Sequence, residues 1–82
     1  MKYNILITED EREIAELIKL YLENENYRVF CAEDGKEALE FLEQESIDMA
    51  ILDIMMPGMD GYELTKQIRK SSNMPILILS AK

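Results

Sequence analysis

The chain has 82 residues, enough for one small domain, and 48% of them are hydrophobic, a fraction typical of a folded globular protein. Its 17 acidic and 9 basic side chains give a net charge of −8, which argues against direct binding to nucleic acid or to an anionic membrane surface. The sequence has no histidine, which excludes a histidine-ligated metal site, and its one cysteine, Cys31, excludes an intrachain disulfide. We therefore expect a cytoplasmic protein.

The first half of the chain predicts a strand, a helix, a second strand and a second helix. The short apolar run Asn4–Thr8 is typical of a buried strand. Apolar residues then recur at helical spacing and predict a helix, with Ile14, Leu17, Ile18, Tyr21 and Leu22 on one stripe. Tyr27–Ala32 contains β-branched and aromatic residues that favour a strand. Asp34 is a suitable N-cap for the helix that follows.

The second half predicts a strand, a helix and a last strand. The apolar run Met49–Leu52 predicts a third strand, which ends at Asp53. After a glycine- and proline-containing loop, a helix with Leu64 and Ile68 on one side runs to about Lys70. Ile76–Leu79 is the fourth apolar run. No linker or low-complexity segment interrupts this pattern, so we treat residues 1–82 as part of a single domain.

Strands that alternate with helices predict an α/β fold with a parallel sheet. If strand one pairs with strands two and three, right-handed crossovers place the first helix on one face and the next two helices on the other. The strand order is then 2-1-3-4, and ligands bind at the carboxyl ends of strands one and three. Because one helix alone covers the first face, we expect bare apolar side chains, among them Ala50, Leu52 and alternate residues of Ile76–Leu79.

Acidic residues follow both strands at this predicted switch point. Glu9, Asp10 and Glu11 come directly after strand one, and Asp53 ends strand three. At least three carboxylates should therefore converge, which raises some of their pKa values unless a cation lies among them. Mg²⁺ is the natural cation because it takes oxygen ligands. The helix dipole alone explains acids such as Glu11, but it does not explain a charge at the tip of a central strand.

Other phosphate-binding and phosphate-cleaving motifs are missing. The sequence has neither the glycine-rich phosphate loop with its lysine nor the Gly-x-Gly-x-x-Gly fingerprint of dinucleotide-binding domains. The Asp-x-Asp pair of several magnesium-dependent phosphatases is also missing, because Ile54 and Met55 follow Asp53. A phosphatase is therefore disfavoured.

Four segments resemble the successive signatures of two-component response-regulator receiver domains, in particular those of OmpR/PhoB-type regulators. They occur in the order and spacing of that family and span the chain: residues 5–11, 48–53, 56–61 and 75–80. The resemblance implies the CheY-like, flavodoxin-like doubly wound fold. It also implies a phosphorylation-dependent signalling function rather than an enzyme with a free substrate.

The resemblance also implies a role for each matching residue. Asp53 would be the phosphoacceptor, and a partner sensor histidine kinase would be the phosphoryl donor. Asp10 and Asp53 would bind Mg²⁺ directly and Glu9 through water, while the backbone carbonyl of Met55 would complete the protein ligands. Ser80 matches the hydroxyl that contacts the phosphoryl group and reports its arrival.

One part of the family pattern is not matched in these residues. The family has a phosphate-contacting lysine after a fifth strand, and Lys82 lies too close to Ser80 to be that residue. We therefore expect a truncated receiver domain that lacks the last helix, strand and helix. Such a chain should associate with itself, by domain swapping or dimerisation. The alternative function is an interaction or dimerisation module of the same fold that is not phosphorylated.

Overall fold

The computed structural model describes residues 2–54 and 60–79. The helices and strands of these residues alternate along the chain: β1 (Asn4–Thr8), α1 (Arg12–Asn24), β2 (Arg28–Ala32), α2 (Gly35–Gln44), β3 (Met49–Asp53), α3 (Gly61–Arg69) and β4 (Ile76–Leu79). The predicted succession of elements is confirmed. Two strand boundaries differ from the prediction by one residue: β2 begins after Tyr27, and β3 includes Asp53. No helix in the described ranges is both long and apolar enough to cross a bilayer.

The four strands form one parallel sheet in the order β2-β1-β3-β4, as predicted. The last residue of β1, Thr8, pairs with Ala32 of β2 and with Leu52 of β3. Glu9 follows Thr8 and Asp53 follows Leu52, so these two acids lie side by side at the same edge of the sheet. The predicted switch point between β1 and β3 is thus present.

The sheet separates two apolar cores. Helices α2 and α3 cover one face, where the buried residues are Leu6, Ala32, Ala38, Ala50, Leu52, Leu64 and Ile68. Helix α1 covers the other face, where the buried residues are Ile5, Ile7, Ala15, Val29 and Ile51. One helix on one face and two on the other is the arrangement that right-handed crossovers predict.

The prediction that Ala50 and Leu52 would be bare is wrong. Both side chains are 0% exposed. Side chains alternate between the two faces of a strand, and these two residues point to the face that α2 and α3 cover. The same prediction for β4 agrees with the structure at Leu77, which is 50% exposed.

The apolar stripe predicted for α1 is only partly correct. Ile18 and Leu22 pack against the sheet, together with Ala15, which the prediction left out. These three residues define the buried side of the helix, and the short side chain of Ala15 allows a close approach to the strands. The remaining residues of the predicted stripe are exposed, namely Ile14, Leu17 and Tyr21.

Thr8 is a polar residue inside an apolar layer. Its side chain is fully buried, and its hydroxyl has no hydrogen-bond partner in the part of the chain that the structure describes. A buried hydroxyl without a partner lowers stability by roughly 1–3 kcal/mol. The sequence pattern gives no indication of this cost, because threonine is common in strands.

We expect Thr8→Val to raise the free energy of unfolding by about 1 kcal/mol, because valine has the same shape and no hydroxyl to desolvate. Urea unfolding of both proteins measures the difference. Thr65→Val is the matched control, since the Thr65 hydroxyl donates to the Gly61 carbonyl at 2.8 Å and its loss brings no stabilisation. A Thr8→Val protein less stable than the parent would contradict this account.

Candidate functional site

The carboxyl ends of β1 and β3 bring Glu9, Asp10 and Asp53 together. One carboxylate oxygen from each residue lies within 4.8 Å of the others. Glu9 is 5% exposed and Asp53 is 7% exposed, whereas Asp10 faces solvent. The predicted convergence of three carboxylates at the switch point is confirmed. We refer to these three residues as the acidic cluster.

Backbone hydrogen bonds fix the two strand tips that carry the cluster. The N–H of Glu9 donates to the carbonyl of Ala32 at 3.0 Å, which ties the end of β1 to β2. The N–H of Ile54, directly after Asp53, donates to the carbonyl of Leu79 at 3.3 Å. The neighbouring outer strands therefore hold the backbone at both tips, so Glu9 and Asp53 stay on adjacent strand ends.

Gly61 allows α3 to begin directly against the tip of β3. A Cβ atom at this position would lie 2.7 Å from the backbone oxygen of Asp53 and 3.0 Å from the Cα of Ile54. The N–H of Gly61 also donates to the Ile54 carbonyl at 3.1 Å. The sequence pattern places Gly61 in the glycine- and proline-containing loop, and its close approach to the tip of β3 follows from packing that the pattern does not specify.

The Glu9 carboxyl group hydrogen-bonds to Glu11 and to Asp53, and both contacts affect its charge. Its Oε2 accepts from the backbone N–H of Glu11 at 3.2 Å, and its side chain hydrogen-bonds to that of Asp53. Burial raises the pKa of Glu9 from 4.5 to about 7, the bond from Glu11 opposes this rise, and the charges of Asp53 and Asp10 add to it. The predicted rise in pKa within the cluster is confirmed for this residue.

The donor set of the cluster suits a hard divalent cation. Two carboxylates are buried and one is exposed, so a cation would be held by protein on one side and by water on the other. Mg²⁺ favours this arrangement, since it binds carboxylate oxygens and retains several waters. Of the predicted site residues, the structure brings Glu9, Asp10 and Asp53 together. Met55 and Ser80 lie outside the described residues.

The topology and the cluster define a class of protein: a doubly wound α/β domain with an acidic site at its switch point. The chain matches the model of the response regulator receiver domain family over residues 5–82. It belongs to that family, and the resemblance noted from its four motifs is confirmed.

Two curated relatives extend the comparison. The chain is 50% identical to the regulatory protein VanR of Enterococcus faecium over 82 residues, which is 100% of this chain and 36% of VanR. It is 49% identical to the response regulator GtcR of Aneurinibacillus migulanus over 82 residues, which is 100% of this chain and 34% of GtcR. The chain thus spans about a third of the length of these relatives.

Solved structures agree with the fold. The chain is 42% identical to the response regulator protein TrrA of Thermotoga maritima, with a TM-score of 0.92 over 100% of this chain and 71% of that chain. The TrrA crystal structure is a complex with Mg²⁺-BeF. The chain is also 32% identical to the chemotaxis protein CheY4 of Vibrio cholerae, with a TM-score of 0.95 over 100% of this chain and 71% of that chain. This similarity and the strand order confirm the CheY-like fold predicted from the sequence.

The raised pKa of Glu9 makes stability depend on pH. The folded protein keeps a proton on Glu9 up to about pH 7, whereas the unfolded chain loses it near 4.5. The free energy of unfolding of the cation-free protein should therefore fall as pH rises from about 4.5 to about 7, and Glu9→Gln should remove this contribution.

Urea unfolding in EDTA at several pH values measures this dependence. Glu13→Gln, a change at an exposed acid in the first turn of α1, is the control and should retain the slope of the parent protein. An unchanged slope in Glu9→Gln would show that this carboxyl is not the titrating group.

Proposed function

We propose that this receiver domain is a phosphorylation-dependent signalling switch in which Asp53 accepts a phosphoryl group from a phosphohistidine on a partner sensor histidine kinase. The observation that supports this proposal most strongly is the position of Asp53. It ends a central strand, it is almost fully buried, and one of its carboxylate oxygens lies within 4.8 Å of oxygens from two further carboxylates, an arrangement that is unfavourable without a cation.

The proposed step is a phosphoryl transfer between two side chains. A carboxylate oxygen of Asp53 attacks the phosphorus and forms a P–O bond, while the P–N bond to the kinase histidine breaks. The bonding electron pair stays on the imidazole nitrogen, which then takes up a proton. Asp53 is itself modified, so the domain is a phosphoacceptor and does not turn over a free substrate.

The acidic cluster would hold the cation that this transfer needs. Asp10 and Asp53 are proposed as direct ligands of Mg²⁺, and Glu9 as a ligand through water, together with the backbone carbonyl of Met55. A bound Mg²⁺ supplies positive charge against the oxygens of the transferred group. Ser80 is proposed to contact the phosphoryl group. Burial of Asp53 and Glu9 strengthens electrostatic attraction at the site.

We further propose that residues 1–82 are the N-terminal portion of a receiver domain in a cytoplasmic transcriptional regulator of OmpR/PhoB type. Two observations support this. VanR and GtcR are named as regulatory proteins and are nearly three times longer than the matched segment. Cys31, the single cysteine of the chain, is a free thiol, which suits a reducing compartment.

Phosphorylation should occur at Asp53 alone. We expect the intact protein to gain one phosphoryl group from acetyl phosphate in the presence of Mg²⁺, and Asp53→Asn to gain none. Intact-protein mass spectrometry measures the gain. Asp34→Asn is the matched control, because asparagine preserves the N-cap of α2 and leaves the cluster untouched. Equal phosphorylation of Asp53→Asn and the parent would refute the assignment.

Mg²⁺ binding separates the switch from the alternative, an interaction module that is not phosphorylated. We expect Asp10→Ala to weaken Mg²⁺ binding by at least about tenfold, because it removes a direct ligand. Isothermal titration calorimetry measures the affinity, with Asp34→Ala as a control that removes a carboxylate outside the cluster. Equal affinities in Asp10→Ala and the parent would favour the interaction module.

We also propose that the 82-residue chain associates with itself. Leu77 is half exposed on β4, and no strand within the described residues pairs with the outer edge of β4. Exposed apolar edge strands favour association. We expect sedimentation velocity to show dimers or larger species, and Leu77→Glu to shift them toward monomer, whereas Tyr62→Glu on the exposed side of α3 does not. A stable folded monomer of the parent chain would contradict this proposal.

A further inference from the structure

We propose that Glu9 couples the acidic cluster to the first turn of α1, so that a cation bound at the cluster stabilises the start of this helix. The carboxylate that belongs to the cluster also accepts a hydrogen bond from the N-cap residue of α1. This inference rests on the proposed function, because it takes the cluster to be a cation site. It concerns a link between that site and the helix that follows it.

Helices α2 and α3 supply their own N-terminal caps. The N-cap Asp34 of α2 accepts through Oδ1 from the N–H of Glu37 at 2.9 Å. The N-cap Asp60 of α3 accepts through Oδ1 from the N–H of Glu63 at 2.9 Å. In both helices an aspartate precedes a glutamate by three residues, the pattern that satisfies free N–H groups locally.

Helix α1 has a different beginning. Its N-cap, Glu11, makes no side-chain cap hydrogen bond, and the residue three positions later is Ile14, which has no acceptor group. The N–H of Glu11 instead donates to Oε2 of Glu9 at 3.2 Å. The acceptor for this end of α1 therefore comes from the acidic cluster and lies outside the helix.

The direction of the coupling follows from the position of the Glu9 carboxylate. This carboxylate is almost fully buried and contacts both Asp53 and the N–H of Glu11. A cation among the three acids attracts the carboxylate and reduces its freedom to rotate. An acceptor held in place keeps the Glu11 hydrogen bond formed for more of the time. The first turn, which carries the exposed Ile14, should become more ordered as a result.

The test is amide-proton exchange, measured by NMR on the intact protein with and without Mg²⁺. We expect Mg²⁺ to slow exchange of the Glu11 amide by about fivefold, the factor that corresponds to a helix cap of ordinary strength. The Glu37 amide is the internal control, because it is bonded to Asp34 and should not respond to the cation.

Three variants make the test specific. Glu9→Ala should give fast exchange at Glu11 with and without Mg²⁺. Glu9→Gln retains an oxygen acceptor, so exchange without Mg²⁺ should stay near that of the parent while the response to the cation falls. Asp34→Ala should speed exchange at Glu37 and leave the response of Glu11 to Mg²⁺ intact.

The outcomes also separate this inference from the proposed function. If Mg²⁺ shifts the amide signals of Asp10 and Asp53 but leaves Glu11 exchange unchanged or faster, the coupling is refuted and the cation site stands. If Mg²⁺ shifts none of these signals, both the coupling and the cation site are refuted.

Discussion

Three carboxyl groups, two of them buried, meet at neighbouring strand tips, and this crowding is the constraint on which the site depends. Parallel pairing of β1 with β3 places Glu9 beside Asp53, and hydrogen bonds to Ala32 and Leu79 hold both tips in position. The fold thus keeps acids together that would separate in a flexible loop. Burial raises the pKa of Glu9 most, and the charges of Asp53 and Asp10 add to this rise. A bound cation would convert an unfavourable cluster into a favourable one, which is why a cation site is the simplest explanation for it.

The sequence was sufficient for the topology and for the three acids of the cluster. Alternating short apolar runs and helical repeats define the elements. The strand order 2-1-3-4 follows if strand one pairs with strands two and three, and right-handed crossovers then decide which face each helix covers. Once β1 and β3 are neighbours, the residues that end them must share an edge of the sheet. With that pairing, the sequence places Asp53 beside Glu9 and Asp10 without any knowledge of distances.

The two wrong predictions both concern which side of a strand or helix faces the core. The residue pattern of β3 does not say which face Ala50 and Leu52 occupy; pairing of Leu6 with Ala50 places both on the face that α2 and α3 cover. In α1, the predicted stripe included Leu17 and Tyr21, but the helix is turned so that Ala15 contacts the sheet. A helix with apolar residues on more than half of its surface does not reveal from sequence which of them face the core.

Other features depend on atomic contacts that no residue pattern specifies. The need for glycine at position 61 follows from a close approach to the Asp53 backbone, and the unpaired hydroxyl of Thr8 follows from complete burial. The bond between Glu9 and the Glu11 N–H had a weak sequence signal, because α1 lacks the Asp-x-x-Glu pattern of the other two helices. The missing pattern indicates that α1 lacks an ordinary cap, but it does not identify Glu9 as the residue that supplies the acceptor.

The most direct test of the central claim is a crystal structure of the intact protein with Mn²⁺ in place of Mg²⁺, in which anomalous scattering locates the cation. This account predicts one anomalous peak within ligand distance of the carboxylates of Asp10 and Asp53, with Glu9 close by. A structure in which the Asp53 side chain turns away from Glu9 and Asp10, or in which no cation lies among the three residues, would contradict it.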